Sequence, residues 1–185
     1  MSFQNFYIED QEFTSKDTSI AQVAALHTEL LNSDIFQDGQ IVLDWGGGKY
    51  DLSKNKIENE KKLKFYVHDE FNRSKEHNQH VESEVLKAGG ADIITIANVL
   101  NVIKEKSERI KTLQNAKKFL KKNGKVYINV YNAVRIPNYE ETKEYVGQPT
   151  SKGWQNAQPL SFYVPEIQQV FPNVHKKSSM VIAQN

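Results

Sequence analysis

The sequence predicts an α/β fold with a mostly parallel central sheet. Apolar segments with the length of buried strands alternate with segments whose apolar residues recur at helical spacing. Residues 91–97, Ala-Asp-Ile-Ile-Thr-Ile-Ala, are apolar on both faces, as in a strand inside a parallel sheet. Residues 41–51 run from an apolar strand through an acid into three glycines, a turn whose backbone must approach something closely. In open α/β sheets, ligands bind beyond the carboxyl ends of such strands.

The N-terminal part is expected to contain two helices and two strands. Residues 1–16 are a polar lead-in with scattered aromatics, and Asp17 or Thr18 is placed to cap the first helix. The spacing of Ile20, Val23, Leu26 and Leu30 gives that helix one apolar face. The expected elements are a helix over 18–32, a strand over 40–45, a short and mostly exposed helix over 51–59, and a strand over 63–68.

The middle of the chain is expected to add two helix–strand units. A helix over 75–88 places Val81, Val85 and Leu86 on one side, and Gly89-Gly90 ends it before the strand over 91–97. Ser107 is placed to cap the next helix, and Gly124 to stop it. The buried stripe of this helix is Ile110, Leu113, Ala116 and Leu120, and the strand that follows covers 125–131.

The C-terminal part is expected to begin with a long irregular segment over 132–161, which is polar and rich in glycine and proline. Loops of that length inside a compact domain usually have a function. A short helix over 163–171 and two closing strands, 174–175 and 180–183, complete the chain. The closing strands form an antiparallel pair at the edge of the sheet.

Bulk composition limits the possible functions. The 185 residues fit one domain, 1–185, with an N-terminal arm and helix over 1–39. The formal charge of +1 does not indicate a nucleic-acid partner, and the absence of cysteine excludes thiol nucleophiles and zinc–thiolate sites. No apolar run approaches the roughly 20 residues that span a bilayer. The N-terminus does not have the pattern of a signal peptide, so we expect a soluble, cytoplasmic protein.

The glycine loop is poorly suited to a phosphate. A Walker loop needs GxxxxGK followed by Ser or Thr, and here Lys49 comes too early. A dinucleotide site needs GxGxxG, and Asp51 occupies the position of the third glycine. A carboxylate there, at the start of the next helix, would repel a pyrophosphate.

S-adenosylmethionine (SAM) is a better match for this loop because it contains no phosphate. Asp44, two residues before the first glycine, is placed to face the ammonium group of its methionine part. The glycines allow the backbone to approach the same part of the ligand. The alternative is a plain tight turn in which Asp44 only makes local hydrogen bonds.

Val42-Leu-Asp-Trp-Gly-Gly-Gly-Lys-Tyr-Asp51 resembles motif I of the class I, Rossmann-like SAM-dependent methyltransferases. Asp69 falls where the second-strand acid of that family holds the ribose hydroxyls, and 92–101 looks like the fourth-strand motif. The passage over 120–130 is similar to the family's route into its fifth strand, so the likeness covers about 40–132. It implies a three-layer Rossmann-like fold, SAM as cofactor, and contacts to it from Asp44, Trp45, Gly46, Gly47, Gly48, Asp69, Asn98 and Val99.

The sequence departs from the family pattern at two places. Tyr50 replaces the usual third loop glycine, where it either tightens the pocket or stacks on a ligand. The interval between Asp69 and Ala91 is short, so the third strand and its adenine-contacting acid are expected to be missing or reduced. Asp69 also has a purely structural alternative, a turn formed with Asn72, and Asn98 has a helix-capping one.

The acceptor is not identified by the sequence. Asn98-Val-Leu-Asn101 lacks the two prolines and the aromatic of the amino-DNA methyltransferases, and cytosine C5 methylation needs an absent cysteine. No catalytic base is evident, and in-line methyl transfer depends mainly on alignment. The segment over 132–161 is the best substrate-facing candidate, although its aromatics also suit a role in fixing it to the domain. The candidate substrate residues are Asn101, Tyr131, Arg135, Trp154 and Asn156.

His77 and His80 lie one helical turn apart, but no third ligand is defined, so no metal site is predicted. The sequence therefore predicts a SAM-dependent methyltransferase acting on a small molecule, a nucleotide or a nucleic acid, with no membrane partner. The alternative is a non-methylating module on the same fold that binds SAM to sequester it or to regulate another protein.

Overall fold

A six-stranded sheet forms the centre of the computed structural model, which describes residues 18–131, 140–141, 146–156 and 158–185. In chain order the elements are α1 (Ala25–Asn32), β1 (Ile41–Trp45), α2 (Leu52–Glu60), β2 (Lys64–His68), α3 (Lys75–Lys87), β3 (Ala91–Ala97), α4 (Lys106–Lys117), β4 (Leu120–Asn129), β5 (Glu140–Glu141), β6 (Val146–Thr150), β7 (Gly153–Asn156), α5 (Leu160–Val170), β8 (Asn173–Lys177) and β9 (Met180–Gln184). A 3-10 turn, Leu100–Val102, separates β3 from α4.

The strand order of the large sheet is β2-β1-β3-β4-β9-β8. The pairs β1–β2, β1–β3 and β3–β4 are parallel, whereas β9 pairs antiparallel with both β4 and β8. The predicted fold class, a mostly parallel sheet with an antiparallel edge hairpin, is confirmed. Between β2 and β3 the chain forms only α3, so the expected shortening of the middle of the fold is also confirmed.

Helices cover both faces of the sheet, which gives three layers. Alternation along β1 explains the arrangement, because Val42 faces one core and Leu43 the other. The core on the Val42 side includes Leu26 of α1 and Ile57 of α2. The core on the Leu43 side includes apolar residues from three helices: Val85 of α3, Leu113 of α4 and Ile167 of α5. The carboxyl ends of β1, β2 and β3 therefore meet at one edge between the layers.

The first helix is shorter than predicted. It begins at Ala25 rather than at residue 18, and Ile20, expected on its apolar face, is 52% exposed. The segment that precedes it lies along the glycine loop instead, where Ser19 Oγ accepts a hydrogen bond from the Lys49 amide at 3.1 Å. The Ala24 amide donates to Ser53 Oγ at 3.3 Å. These tertiary contacts replace the helical hydrogen bonds that the periodicity predicted.

Helix α4 begins at Lys106 with Glu105 as its N-cap, so Ser107 does not cap it as predicted. Leu120, expected in the buried stripe of that helix, begins β4 instead.

Other predictions were also wrong in detail. Gly124 lies inside β4 rather than ending α4. An added Cβ there would approach the Ala91 carbonyl to 2.8 Å, so the close approach of the neighbouring strand requires glycine. Leu86, expected on the buried side of α3, is 49% exposed, while Val81 and Val85 are buried. The segment over 132–161 is not irregular throughout, since β6 and β7 form an antiparallel hairpin within it and α5 begins at Leu160.

Candidate cofactor site

A cavity of about 650 Å³ opens where β1, β2 and β3 end. All eight residues that the motif resemblance assigned to the cofactor line it. Three of the five candidate substrate residues line it too: Asn101, Tyr131 and Trp154. Topology explains this convergence, because parallel strands end at the same edge of a sheet, where open α/β proteins bind their ligands.

The glycine loop is packed so closely that side chains would not fit. Gly46 has φ of +82°, and a Cβ there would lie 2.5 Å from Val99 Cγ2. A Cβ on Gly47 would collide with Asp44 Oδ2, and one on Gly48 would collide with Ser19 Oγ. The loop therefore presents bare backbone to the cavity, as close approach of a ligand requires.

Asp44 is the penultimate residue of β1, and its carboxylate is buried, 3% exposed, where it lines the cavity. Its Oδ1 accepts a hydrogen bond from Thr95 Oγ1 at 2.8 Å, and Oδ2 lies against Gly47. His27 Nε2 lies 3.3 Å from Oδ1. The carboxylate is therefore held through Oδ1 by the protein, while Oδ2 is turned toward the glycine loop.

Asp69 follows β2 and connects its own turn to the glycine loop. Oδ1 accepts from the amides of Phe71 at 3.0 Å and Asn72 at 2.8 Å, and Oδ2 accepts from the Gly48 amide at 2.7 Å. The turn with Asn72 that we considered as the structural alternative is present. Asp69 also lines the cavity, so this geometry does not prevent ribose binding.

Arg73 is a site-supporting residue that the sequence did not reveal. Its Nε donates to the Gly48 carbonyl at 2.8 Å, and Nη2 donates to Asp51 Oδ1 at 2.7 Å. Asp51 is the N-cap residue of α2 but makes no side-chain capping bond, and its carboxylate is paired with the guanidinium instead. No motif spacing connects Asp51 and Arg73, so only the fold could show this ion pair.

A second missed group lies where β2 ends. The ring of Trp45 stacks on that of His68, with 4.0 Å between centroids and 3° between planes. His68 Nε2 lies 3.0 Å from Glu82 Oε1 on α3, and both residues are buried. Trp45 and His68 both line the cavity, so this stack forms part of the wall on the α3 side.

The end of β3 supplies polar groups to the same cavity. Asn98 has φ of +59°, a left-handed conformation that asparagine tolerates, and its amide donates to the Asn129 carbonyl at 3.1 Å. Asn101 is 2% exposed, and its Oδ1 has no hydrogen-bond partner within the described parts of the chain. Thr112 Oγ1 on α4 is in the same condition. Buried polar atoms without partners are costly, which favours a ligand that donates to Asn101 Oδ1 and forms a hydrogen bond with the Thr112 hydroxyl.

The β6–β7 hairpin packs on the turn after β3. Trp154 Nε1 donates to Asn156 Oδ1 at 2.7 Å, and Asn156 Nδ2 donates to the carbonyls of Leu100 at 3.2 Å and Ile103 at 3.0 Å. Asn156 is fully buried and, unlike Trp154, does not line the cavity. Its position favours a role in holding the hairpin in place.

The remaining sequence candidates are placed as follows. Tyr131 lines the cavity mouth and is 61% exposed. Arg135 lies outside the described residues. Tyr50 lines the cavity and is 40% exposed, with Lys49 Nζ 5.3 Å from its ring centroid.

Neither a metal cluster nor a membrane-spanning helix occurs in the described segments. No three metal-ligating side chains come together there, and His77 Nε2 instead lies 2.8 Å from the Val67 carbonyl. No helix in these segments has the length and apolarity to cross a bilayer.

Beyond the cavity, burial raises the pKa of Tyr163, which lies among Arg109, Asn156 and Glu166.

Sequence comparison finds no relative of this chain. No family model matches it, and no curated protein matches it either.

Solved structures do resemble it. A SAM-dependent methyltransferase from Aquifex aeolicus has a TM-score of 0.52 at 16% identity, covering 85% of this chain and 87% of that one. DesVI from Streptomyces venezuelae has a TM-score of 0.56 at 9% identity, covering 86% and 91%. CalO1, a methyltransferase in calicheamicin biosynthesis solved with S-adenosylhomocysteine (SAH) bound, has a TM-score of 0.51 at 19% identity.

CalO1 is the longer protein: the alignment covers 86% of this chain but 52% of that one, so the chain spans about half its length. The same holds for a mitomycin 7-O-methyltransferase, of which 54% is covered. These similarities, the sheet order and the placement of the motif residues lead to one conclusion. The chain has the fold of the class I, Rossmann-like SAM-dependent methyltransferases.

Proposed function

We propose that this protein binds SAM and transfers its methyl group to an acceptor. The observation that carries the proposal is the placement of two carboxylates, Asp44 and Asp69, on either side of a bare glycine loop in one cavity. A ligand that fits them has an ammonium group at one point, hydroxyls at another and no phosphate between. SAM has those groups in that order.

The residues present fit this cofactor in three respects. Asp44 Oδ2 lies at the loop, as an ammonium partner should. Asp69 has hydrogen bonds to backbone amides, which keep its carboxylate in place for ribose hydroxyls. Gly46, Gly47 and Gly48 line the cavity with backbone alone, which allows the methionine part to approach closely. The pairing of Asp51 with Arg73 strengthens the case against a phosphate, because that cation is already engaged.

The chain's own contribution to catalysis is alignment. Bound SAM supplies an electrophilic methyl group on a sulfonium, and in-line displacement needs the acceptor atom held behind that methyl. Val99 packs against Gly46 and fixes the loop relative to the end of β3. Asn98 and Asn101 border the same space, and their amides suit positioning of either the cofactor or the acceptor. A base is needed only when the acceptor must lose a proton.

The acceptor is expected to enter between residues 18–24, which precede α1, and the β6–β7 hairpin, since both line the cavity. Tyr131 and Trp154 line this side of the cavity, and aromatic faces also favour a sulfonium by cation–π attraction. Arg135 remains a candidate by sequence alone. Asn156 contributes through Trp154, whose indole it holds. We infer a cytoplasmic location from the composition and the small-molecule cofactor.

The second candidate is a module that binds SAM without transferring its methyl group. The missing strand between β2 and β3 favours it, because that part of the family's fold contributes to the cofactor pocket. The two functions differ in one experiment. The protein is incubated with SAM labelled in its methyl group and with DNA, RNA, protein and metabolite fractions. Label in one fraction, lost in Asp44→Ala, establishes transfer and names the acceptor class. SAM binding without label in any fraction establishes the second candidate.

A further inference from the structure

Asp44 is connected to a buried histidine on the first helix. Thr95 Oγ1 donates to Asp44 Oδ1 at 2.8 Å, and His27 Nε2 lies 2.9 Å from Thr95 Oγ1. The three residues come from α1, β1 and β3, and none is more than 3% exposed. A chain of hydrogen bonds therefore runs from the N-terminal helix to the carboxylate at the glycine loop.

The direction of these hydrogen bonds follows from proton counting. A threonine hydroxyl has one proton, and Thr95 gives it to Asp44, so its oxygen accepts from His27. The proton of a neutral His27 then lies on Nε2. At 3.3 Å from Asp44 Oδ1, the same N–H also faces the carboxylate. Both donors act on Oδ1, and neither acts on Oδ2.

His27 is a poor choice for a residue that only fills the core. Its Nδ1 is buried and has no hydrogen-bond partner in the described segments, which costs stability. Its ring already packs edge-on against Phe65, with 5.3 Å between centroids, a contact that a phenyl ring would make equally well. His27 also lines the cavity, although no sequence motif marks it.

We propose that His27, acting through Thr95, is a positioning residue for Asp44: it holds Oδ1 inside the protein so that Oδ2 stays turned toward the ammonium group of the cofactor. This inference rests on the proposed function, since it assigns Asp44 to SAM. It makes α1 part of the cofactor site. It also explains the unpartnered Nδ1: the buried nitrogen lowers the stability of the fold, and in return the ring keeps the Asp44 carboxylate oriented.

The test separates a positioning role from a structural one by measuring binding and stability in the same variants. SAH affinity is measured by calorimetry, and the melting temperature is measured without ligand, for wild type, His27→Phe, His27→Gln and Thr95→Val. His27→Phe removes the donor and the unpartnered Nδ1 together. His27→Gln keeps an N–H donor near the position of Nε2. Thr95→Val is nearly isosteric and breaks the chain at its middle.

We expect His27→Phe to bind SAH about tenfold more weakly while melting no lower than wild type, because a donor toward a carboxylate is lost and a buried unpartnered nitrogen is removed. Thr95→Val should also lose about tenfold, and His27→Gln should recover most of the affinity. If His27→Phe does not fold, Thr95→Val and His27→Gln decide. Unchanged affinity in the folded variants overturns the inference, and so does a parallel fall of affinity and melting temperature in His27→Phe. Failure of the wild type to bind SAH overturns the proposed function instead.

Discussion

The Gly48 amide donates a hydrogen bond to Asp69 Oδ2 at 2.7 Å, and this bond joins the loops that follow the first two strands. The same carboxylate holds its own turn through Oδ1. One side chain thus fixes the glycine loop and also lines the cavity, so a change at Asp69 should affect cofactor binding as well as the fold.

Asp69→Asn should weaken SAH binding by at least about tenfold, because one of its two acceptor oxygens becomes a donor that faces backbone N–H groups. Asp92→Asn is the matched control. Asp92 also accepts hydrogen bonds, through Oδ2 from the Ile41 amide at 2.8 Å and through Oδ1 from the Lys121 ammonium at 2.8 Å. Unlike Asp69, it does not line the cavity. The control should lose stability and keep SAH affinity. Equal affinity of Asp69→Asn and wild type in calorimetry would contradict this role.

Gly46→Ala should destabilise the protein by about 3 kcal/mol, from the left-handed backbone and the clash with Val99 together. Gly39→Ala separates the two causes. Gly39 has the same φ of +82°, but nothing lies within 4 Å of an added Cβ. The control should lose only about 1 kcal/mol. Urea unfolding measures the free energy of unfolding of both variants. Equal losses of stability would show that the Val99 side chain moves aside at little energetic cost.

Arg73→Lys should weaken SAH binding about as much as Arg73→Ala does, by roughly fivefold. The guanidinium uses two different nitrogens to reach the Gly48 carbonyl and Asp51, which one ammonium cannot reproduce. Lys87→Ala removes a cation from an exposed pair with Glu84 and should leave affinity unchanged. Wild-type SAH affinity in Arg73→Lys would show that a positive charge at this position is sufficient to support the glycine loop.

Asn156→Ala should lower the free energy of unfolding by about 3 kcal/mol, because it removes three buried hydrogen bonds, one from the Trp154 indole and two to the carbonyls of Leu100 and Ile103. Asn173→Ala removes a comparable side-chain bond to the Asn185 carbonyl at the surface. Its effect should stay within about 0.5 kcal/mol. A small effect at both positions in urea unfolding would mean that the hairpin is not held by Asn156.

The protein should become less stable as the pH rises above about 10, the ordinary pKa of tyrosine. Burial raises the pKa of Tyr163 in the folded state, so the unfolded chain releases this proton first and gains stability relative to the fold. Below the ordinary pKa this contribution is fully present. Tyr163→Phe should therefore flatten the alkaline loss seen in pH-dependent thermal melts, and an unchanged slope would rule out Tyr163 as its source.

Local patterns predicted the parts of this fold that local chemistry determines. The strand Ala91–Ala97 was predicted to the residue, because a doubly buried strand must be apolar on both faces. The acid and glycines of the first loop were found by their spacing, and the short middle of the fold by its length. Helix α1 was overextended, because contacts of Ser19 and Ala24 with distant residues override the apolar period.

What the sequence did not show are partnerships between distant positions. Arg73 and Asp51 lie 22 residues apart, and His27 and Thr95 lie 68 apart. No periodicity or motif encodes such pairs, which exist only once the strands bring their ends to one edge. The hairpin around Trp154 was missed because Gly147, Pro149 and Gly153 gave it the composition of a loop.

Calorimetric titration with SAH of wild type and of Asp44→Ala is the decisive measurement of whether this cavity binds SAM through Asp44. We expect saturable binding to wild type, with a dissociation constant in the micromolar range, and a loss of at least about a hundredfold in Asp44→Ala, because an ammonium would be left without its carboxylate. Absence of binding to wild type at about 1 mM ligand, or equal affinity of the two proteins, would contradict it.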